Sequence, residues 1–340
     1  MRVFVTGTAG FIGFHLARLL LEEGHVVHGY DGMTSYYDVE LKRKRHAMLR
    51  AYPAFTATEA MLEDAGTLAA ALAAAQAEVV VHLAAQAGVR YSLQNPRAYV
   101  DANLVGTFNL LEAIRHERPQ HLLMASTSSV YGANGELPFV ESQKTSTPLT
   151  LYAASKIANE AMAHAWAHLY GVPTTLFRFF TAYGPWGRPD MALFKFTRGI
   201  LEGRPIDIYN HGEMYRDFTY VDDLVRAVRL LIDAPPPPPQ RRGRPLAGDT
   251  LSPVAPWRVV NIGNSSRVRL LDFVEAIEAE LGRRAIRNYL PLQTGDVPAT
   301  WADCSLLERL TGYRPQTPYR EGVARFVRWY CEHYAGAASA

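Results

Sequence analysis

Apolar positions in the first half of the chain follow two alternating rhythms. Short runs rich in β-branched and apolar residues, at Val3–Thr6, Val26–Tyr30, Val79–Leu83, His121–Ser126 and Thr174–Phe179, read as strands. Between them, Phe11–Glu23, residues 97–116 and Leu151–Tyr170 carry the wider spacing of helices. Val79–Leu83 lacks polar alternation, as expected of a strand covered on both faces. Strands alternating with helices predict an α/β fold, a Rossmann-type doubly wound parallel sheet. The rhythm weakens after about residue 183, where Gly, Pro and aromatic residues accumulate. Strand character resumes at Val259–Ile262, and Leu270–Leu281 and Glu321–Tyr330 read as helices. The pattern therefore predicts a Rossmann domain over 1–183, to which the chain returns around 218–233 and 258–263. Residues 184–340 mainly form a smaller α/β C-terminal domain. Within it, 234–257 holds five consecutive prolines followed by Arg241, Arg242 and Arg244, and is expected to be an exposed, mobile loop.

A length of 340 residues suits one large domain carrying a smaller one, and 48% hydrophobic residues supply an ample core. The net charge of +2 gives no electrostatic case for nucleic acid or an anionic membrane, so an anionic ligand must be met by local arginines. Cys304 and Cys331 lack metal-ligand spacing and read as two free thiols in a reducing cytoplasm. The histidines form no recognisable metal cluster, so no metal is expected. The N-terminus runs directly from one short strand into a glycine turn, unlike a secretion signal. No segment has about 18 uninterrupted apolar residues, so no membrane span is expected.

The glycine turn reads Gly7-Thr8-Ala9-Gly10-Phe11-Ile12-Gly13 and lies between the first strand and the first helix. Glycine at 7 permits the tight turn, at 10 lets a pyrophosphate approach the backbone, and at 13 lets helix and sheet pack closely. The helix N-terminus then faces the negative charge. Asp31 ends the second strand, where a carboxylate accepts hydrogen bonds from the ribose hydroxyls and repels a 2′-phosphate. That favours NAD over NADP. The basic run Lys42–Arg45 reads as a solvated helix face.

Tyr152 and Lys156 are one helical turn apart and share a face. A free tyrosine, with a pKa of about 10, is a poor base at neutral pH. A nearby ammonium and a positive nicotinamide favour the phenolate, which then takes a proton from a substrate hydroxyl. A hydroxyl from the upstream cluster Ser126-Thr127-Ser128-Ser129 can bond the same oxygen. The glycine turn, this cluster before Val130-Tyr131-Gly132, and Tyr152 with Lys156 together resemble the extended short-chain dehydrogenase/reductase family, in its nucleotide-sugar epimerase and dehydratase group. The resemblance covers nearly the whole chain. It implies that His82-Leu83-Ala84-Ala85-Gln86 lies along the cofactor, and that Asn103 helps hold the active-site helix and its proton path. It also brings Asp64 to the adenine side, although Met61 stands where the family often carries the first acid of Asp-x-x-Asp.

In this group the first step is oxidation of a sugar C4 hydroxyl, and the residues after Thr127 separate the later fates. The resemblance implies that dehydratases carry Asp-Glu there and UDP-glucuronate decarboxylases a Glu at the second position; here both are neutral, Ser128 and Ser129. Return of the hydride, a 4-epimerisation, is thereby favoured. Thr181 stands where many UDP-glucose 4-epimerases carry Asn, and Thr181 with Arg188 is similar to the subgroup acting on UDP-glucuronate. Thr127, Ser128, Ser129 and Thr181 can all donate to a C6 carboxylate. Carry-over from the family also places Arg216 at the diphosphate, Tyr209 against uracil and Asp296 near the uridine, with Arg90 left to surface or packing. Expected alternatives are a neutral UDP-hexose 4-epimerase (UDP-glucose or UDP-N-acetylglucosamine), a UDP-glucuronate decarboxylase, and a non-catalytic dinucleotide sensor. The resemblance further implies bound NAD, a UDP-sugar substrate, and a homodimer built on the helices around 97–116 and 151–170.

Overall fold

In the computed structural model, which describes residues 1–244 and 246–334, seven parallel strands form the central sheet. They are β1 (Arg2–Thr6), β2 (Val26–Asp31), β3 (Phe55–Glu59), β4 (Val79–His82), β5 (His121–Thr127), β6 (Thr174–Phe179) and β7 (Trp257–Ile262). Their spatial order is β7-β6-β5-β4-β1-β2-β3, so the winding reverses between β1 and β4. Both faces are covered, and successive residues of each inner strand go to opposite cores. Val3, Val5, Val79, Val81 and Leu123 join one cluster, and Phe4, Val80, Leu122 and Met124 the other. Uninterrupted apolar runs are the sequence consequence of that double burial.

On the first face lie α1 (Phe11–Glu22) and α7 (Val221–Ile232); α2 (Val39–Arg50) joins β2 to β3. On the second lie α3 (Ala65–Ala75), α4 (Gly106–Glu117) and α5 (Leu151–Tyr170). The α5 boundaries are set locally. The Thr150 side chain accepts a hydrogen bond from the Ala153 N–H, and Gly171 leaves the helix in the left-handed region at φ +73°. The helix expected over 97–116 is present without a break from 96 to 117, with a π-helical stretch at Val100–Val105 between the turn Pro96–Tyr99 and α4, which begins at Gly106.

A second core gathers α6 (Ala192–Leu201), α8 (Leu270–Leu281) and α10 (Tyr319–Tyr334) around short strands at Ile206–Ile208 and Phe218–Tyr220. Phe218 and Phe273 stack face to face in its centre, 3.8 Å apart. A further helix, α9 (Ser305–Thr311), packs against the first core.

The proline-rich segment has one 3₁₀ turn, Pro239–Arg241, but it is not wholly a solvated excursion. Pro236 is buried, and the returning limb is tied to β7: Thr250 Oγ1 donates to the Val259 carbonyl at 2.6 Å, and Asp249 pairs with Arg258 at 3.0 Å. Pro245 and residues 335–340, parts of the expected second domain, lie outside the described residues. Among the described residues no helix is long and apolar enough to cross a membrane, and no group of His, Cys, Asp or Glu is placed to hold a metal. Cys304 and Cys331 are free thiols.

Candidate active site

A cleft of about 450 Å³ runs over the ends of β1, β2, β4 and β5, where the winding of the sheet reverses. One wall is the β1–α1 turn. Gly7 holds φ +81°, and a Cβ at Gly13 would overlap the Gly7 carbonyl oxygen, so turn and helix close up only because both are glycine. Gly10 caps α1 without a side-chain bond, and Gly10, Phe11, Ile12 and Gly13 line the cleft. The first N–H groups of α1 are thus presented to an anion. Leu83, Ala84 and Ala85 form the facing wall. Asp31 is buried with Oδ2 accepting from the Ala9 N–H and Oδ1 from the Met33 N–H, both at 2.9 Å. Its remaining lone pairs border the cleft and suit a ribose diol, while a 2′-phosphate would meet like charge. The residues present therefore fit a dinucleotide of the NAD type.

Lys42–Arg45 is not the solvated face expected from sequence. Lys42 and Arg45 are buried; only Arg43 and Lys44 face water. Lys42 Nζ donates to the Thr34 carbonyl at 2.6 Å and to its hydroxyl at 3.0 Å, and it lines the cleft near Asp31. Burial lowers its pKa against the pull of Asp31. Two departures from the family pattern meet here. The Met61 sulfur occupies the space a Cβ at Gly32 would need, so Gly32 and Met61 fit as a pair. Asp64 does not reach the cleft. It caps α3, accepting from the Thr67 N–H at 3.0 Å and its hydroxyl at 2.6 Å, while Met61, Leu62 and Glu63 line the wall.

Tyr152 and Lys156 project from the first turns of α5 toward the end of β5. Thr127, Ser128 and Ser129 line the same part of the cleft. The Thr127 hydroxyl donates to Ser129 Oγ at 3.3 Å and accepts from the Ser129 N–H at 3.2 Å, which fixes the row. The expected lowering of the Tyr152 pKa is opposed by burial, which raises that pKa. The groups that oppose burial are the Thr127 hydroxyl and the Arg188 guanidinium. Lys156 turns its ammonium to the Ala125 carbonyl at 3.0 Å, and burial lowers its own pKa to about 8 despite Glu160. Glu160 is engaged elsewhere: it accepts from Ser126 at 2.5 Å and from Arg178 at 2.9 and 2.7 Å.

Asn103 does not line the cleft either. From the π-helical turn its Oδ1 accepts from the Gln86 N–H at 2.8 Å, and its amide donates to the Gln86 carbonyl at 3.1 Å and to Ser155 Oγ at 3.0 Å. It thus joins the β4 exit loop to α5 rather than touching a ligand. The other end of the cleft is lined by Thr181, Arg188, Arg216 and Asp296. Arg188 is held by Asp190 at 2.9 and 2.5 Å, and Asp190 also accepts from Tyr36 at 3.0 Å. Among the described residues Arg216 has only the Tyr215 carbonyl as acceptor, at 2.9 Å, and burial lowers its pKa. Tyr209 lies outside the lining. One face of its ring is covered by Arg90, 4.4 Å away, and Arg90 pairs with Asp296 at 3.0 Å. Gln86 lines the cleft as expected, whereas Lys42 and Tyr36 line it without having been expected from the sequence. The dense Tyr36-Tyr37 pair beside a basic run was the available signal for these two.

The profile of the NAD dependent epimerase/dehydratase family matches residues 3–242. The chain is 58% identical over 337 residues to a probable UDP-glucuronate 4-epimerase of Rhizobium meliloti, covering 99% of each. It is 52% identical to protein CapI of Staphylococcus aureus, covering 98% of this chain and 99% of that one. Among solved structures, the UDP-glucuronic acid 4-epimerase of Bacillus cereus in complex with UDP-glucuronic acid and NAD superposes with a TM-score of 0.87 at 31% identity. The match covers 98% of this chain and 100% of that one.

Proposed function

This chain belongs to the NAD dependent epimerase/dehydratase family, and from that premise we propose that it interconverts UDP-glucuronate and UDP-galacturonate through a 4-keto sugar. The observation that carries the reading is the neutral hydroxyl row Thr127, Ser128 and Ser129 beside Tyr152, in a cleft whose other end is built for a dinucleotide. Bound along the glycine turn and Asp31, NAD supplies the acceptor and donor of the hydride. Tyr152 takes the proton from the sugar C4 hydroxyl and later returns it. Thr127 bonds the same oxygen, and Lys156 holds the helix face in register with the Ala125 carbonyl.

Ser128, Ser129 and Thr181 donate to the C6 carboxylate, and Arg188 faces the same space. A 4-keto glucuronate is a β-keto acid that loses CO₂ when its carboxylate turns perpendicular to the ketone. A row of fixed donors opposes that rotation, and no carboxylate in the row repels the substrate. Between the two hydride transfers the sugar must turn over while the nucleotide stays held. Arg216 is assigned to the diphosphate, with Tyr209 and Asp296 around the uridine; the Arg90–Asp296 pair then guards that end. Residues 1–183, with the returns at 218–233 and 258–263, carry the dinucleotide, and 184–340 mainly the nucleotide of the substrate. The reading includes a cytoplasmic homodimer joined through α4 and α5, whose outward faces expose Phe108 (45%) and Leu169 (64%).

Incubation of purified protein with UDP-glucuronate, followed by proton NMR, tests the reading. UDP-galacturonate formed without CO₂ loss supports it. A 4-keto pentose or UDP-xylose as main product, or turnover of UDP-glucose alone, would replace it with the decarboxylase or the neutral-hexose reading.

A further inference from the structure

Arg45 on α2 is the largest fully buried side chain of the protein. A buried guanidinium ordinarily has a carboxylate partner. Among the described residues Arg45 has none within bonding distance; every acceptor is uncharged. Nη1 donates to the Ala9 carbonyl at 2.7 Å and to the Tyr37 hydroxyl at 2.9 Å. Nη2 donates to the Trp186 carbonyl at 2.6 Å and, more weakly, to that of Gly187 at 3.4 Å. Nε has no partner.

The acceptors belong to three segments, each of which contributes residues to the cleft. Ala9 is in the glycine turn, and its own N–H is held by Asp31. Tyr37 follows Tyr36, which donates to Asp190. Trp186 and Gly187 precede Arg188. Trp186 is held at φ +59°, a region non-glycine residues rarely occupy, and its carbonyl is the one Arg45 binds most closely. The Trp186 ring packs against Phe14 of α1 at 5.8 Å and Trp329 of α10 at 5.4 Å, so this residue joins the two cores.

We propose that Arg45 is a positioning residue that ties the dinucleotide turn to the Trp186–Arg188 segment, so that one buried guanidinium sets both the cofactor seat and the placement of Arg188 against the sugar. The sugar half of this inference rests on the proposed reaction; the cofactor half does not. Only a planar fork reaches three segments at once, and a lysine ammonium keeps the charge but cannot span them.

The test compares Arg45→Lys with wild type in three measurements: nicotinamide content after denaturation, the rise in melting temperature on adding NAD, and product partition from UDP-glucuronate. The expected variant is folded, retains less nicotinamide, and needs more added NAD for the same thermal shift. Its kcat falls about tenfold to a hundredfold with KM moved less, as expected of misplacement rather than lost binding. The decarboxylated share of its product rises above wild type. Should Arg45→Lys fail to fold, Tyr37→Phe removes one anchor and leaves the cation; the same signature at smaller size is expected. Wild-type nicotinamide content and wild-type partition in a folded variant would overturn the proposal. If wild type itself does not act on UDP-glucuronate, the proposed function fails, while nicotinamide content and thermal shift still decide whether Arg45 supports the cofactor seat.

Discussion

At the scale of single residues, the catalytic pair is a compromise between reactivity and solvation. Burial works against both charged forms, raising Tyr152 and lowering Lys156 to about 8. Tyr152→Phe removes only the hydroxyl; kcat should drop about 10²- to 10⁴-fold with nicotinamide content and melting temperature near wild type, measured by NMR turnover and thermal denaturation. Lys156 makes a prediction of opposite sign for stability. Its pKa falls from 10.5 unfolded to about 8 folded, so between those values the unfolded chain binds more protons and stability rises with pH. Below pH 8 the buried ammonium costs the apoprotein about 3 kcal/mol. Lys156→Met apoprotein should therefore melt higher than wild type at pH 7 while being inactive. The gap should close as pH is raised from 8 toward 10.5. A gap that widens over that range would mean the ammonium is better solvated than its burial implies.

At the scale of elements, short contacts decide how helices meet the sheet. The β1–α1 turn accepts no Cβ at Gly13 because the Gly7 carbonyl already fills that space. Gly13→Ala should push α1 away from the turn, lower the melting temperature, and yield protein with little nicotinamide by absorbance after denaturation. The π-helical turn at Val100–Val105 is the second such device. π-helical turns are frequent at functional sites; here the turn delivers Asn103 to Gln86 and Ser155. Asn103→Ala leaves the Gln86 N–H without its acceptor, a cost of about 1–3 kcal/mol. It should loosen the loop that faces the glycine turn, seen as faster amide exchange at Gln86–Gly88. The helix α2 shows what periodicity hides. Its polar residues fit a solvated helix, yet Lys42, Arg45 and His46 are buried.

At the scale of the whole molecule, two cores meet around Trp186, and the cleft lies where they join the sheet. Arg90, Asp296 and Tyr209 form a contact from the β4 exit loop to the second lobe. The exposed Phe108 and Leu169 on α4 and α5 lie on the second face of the sheet. Phe108→Glu with Leu169→Glu should convert a dimer into a monomer by light scattering at micromolar concentration, with the fold intact by circular dichroism. A wild-type monomer would remove the dimer from the reading.

Much of this was legible in the residues alone, because strand burial, glycine turns and helix periodicity are written in local sequence. The strands β1, β2 and β4–β6, the boundaries of α5, the glycine turn with Asp31, and Tyr152, Lys156 and the hydroxyl row all follow from patterns a few residues long. What tertiary structure alone decided concerns polar side chains whose partners are distant in sequence. Asp64 serves as a helix cap, Asn103 as a brace and Tyr209 as a platform for Arg90, all outside the cleft, while Lys42 enters it. The arginine at 45 binds carbonyls at 9 and 186, and no local pattern encodes a hydrogen bond between residues 141 apart. A charged residue in a helix is compatible with water or with burial, and the choice depends on which acceptors the folded chain brings to it.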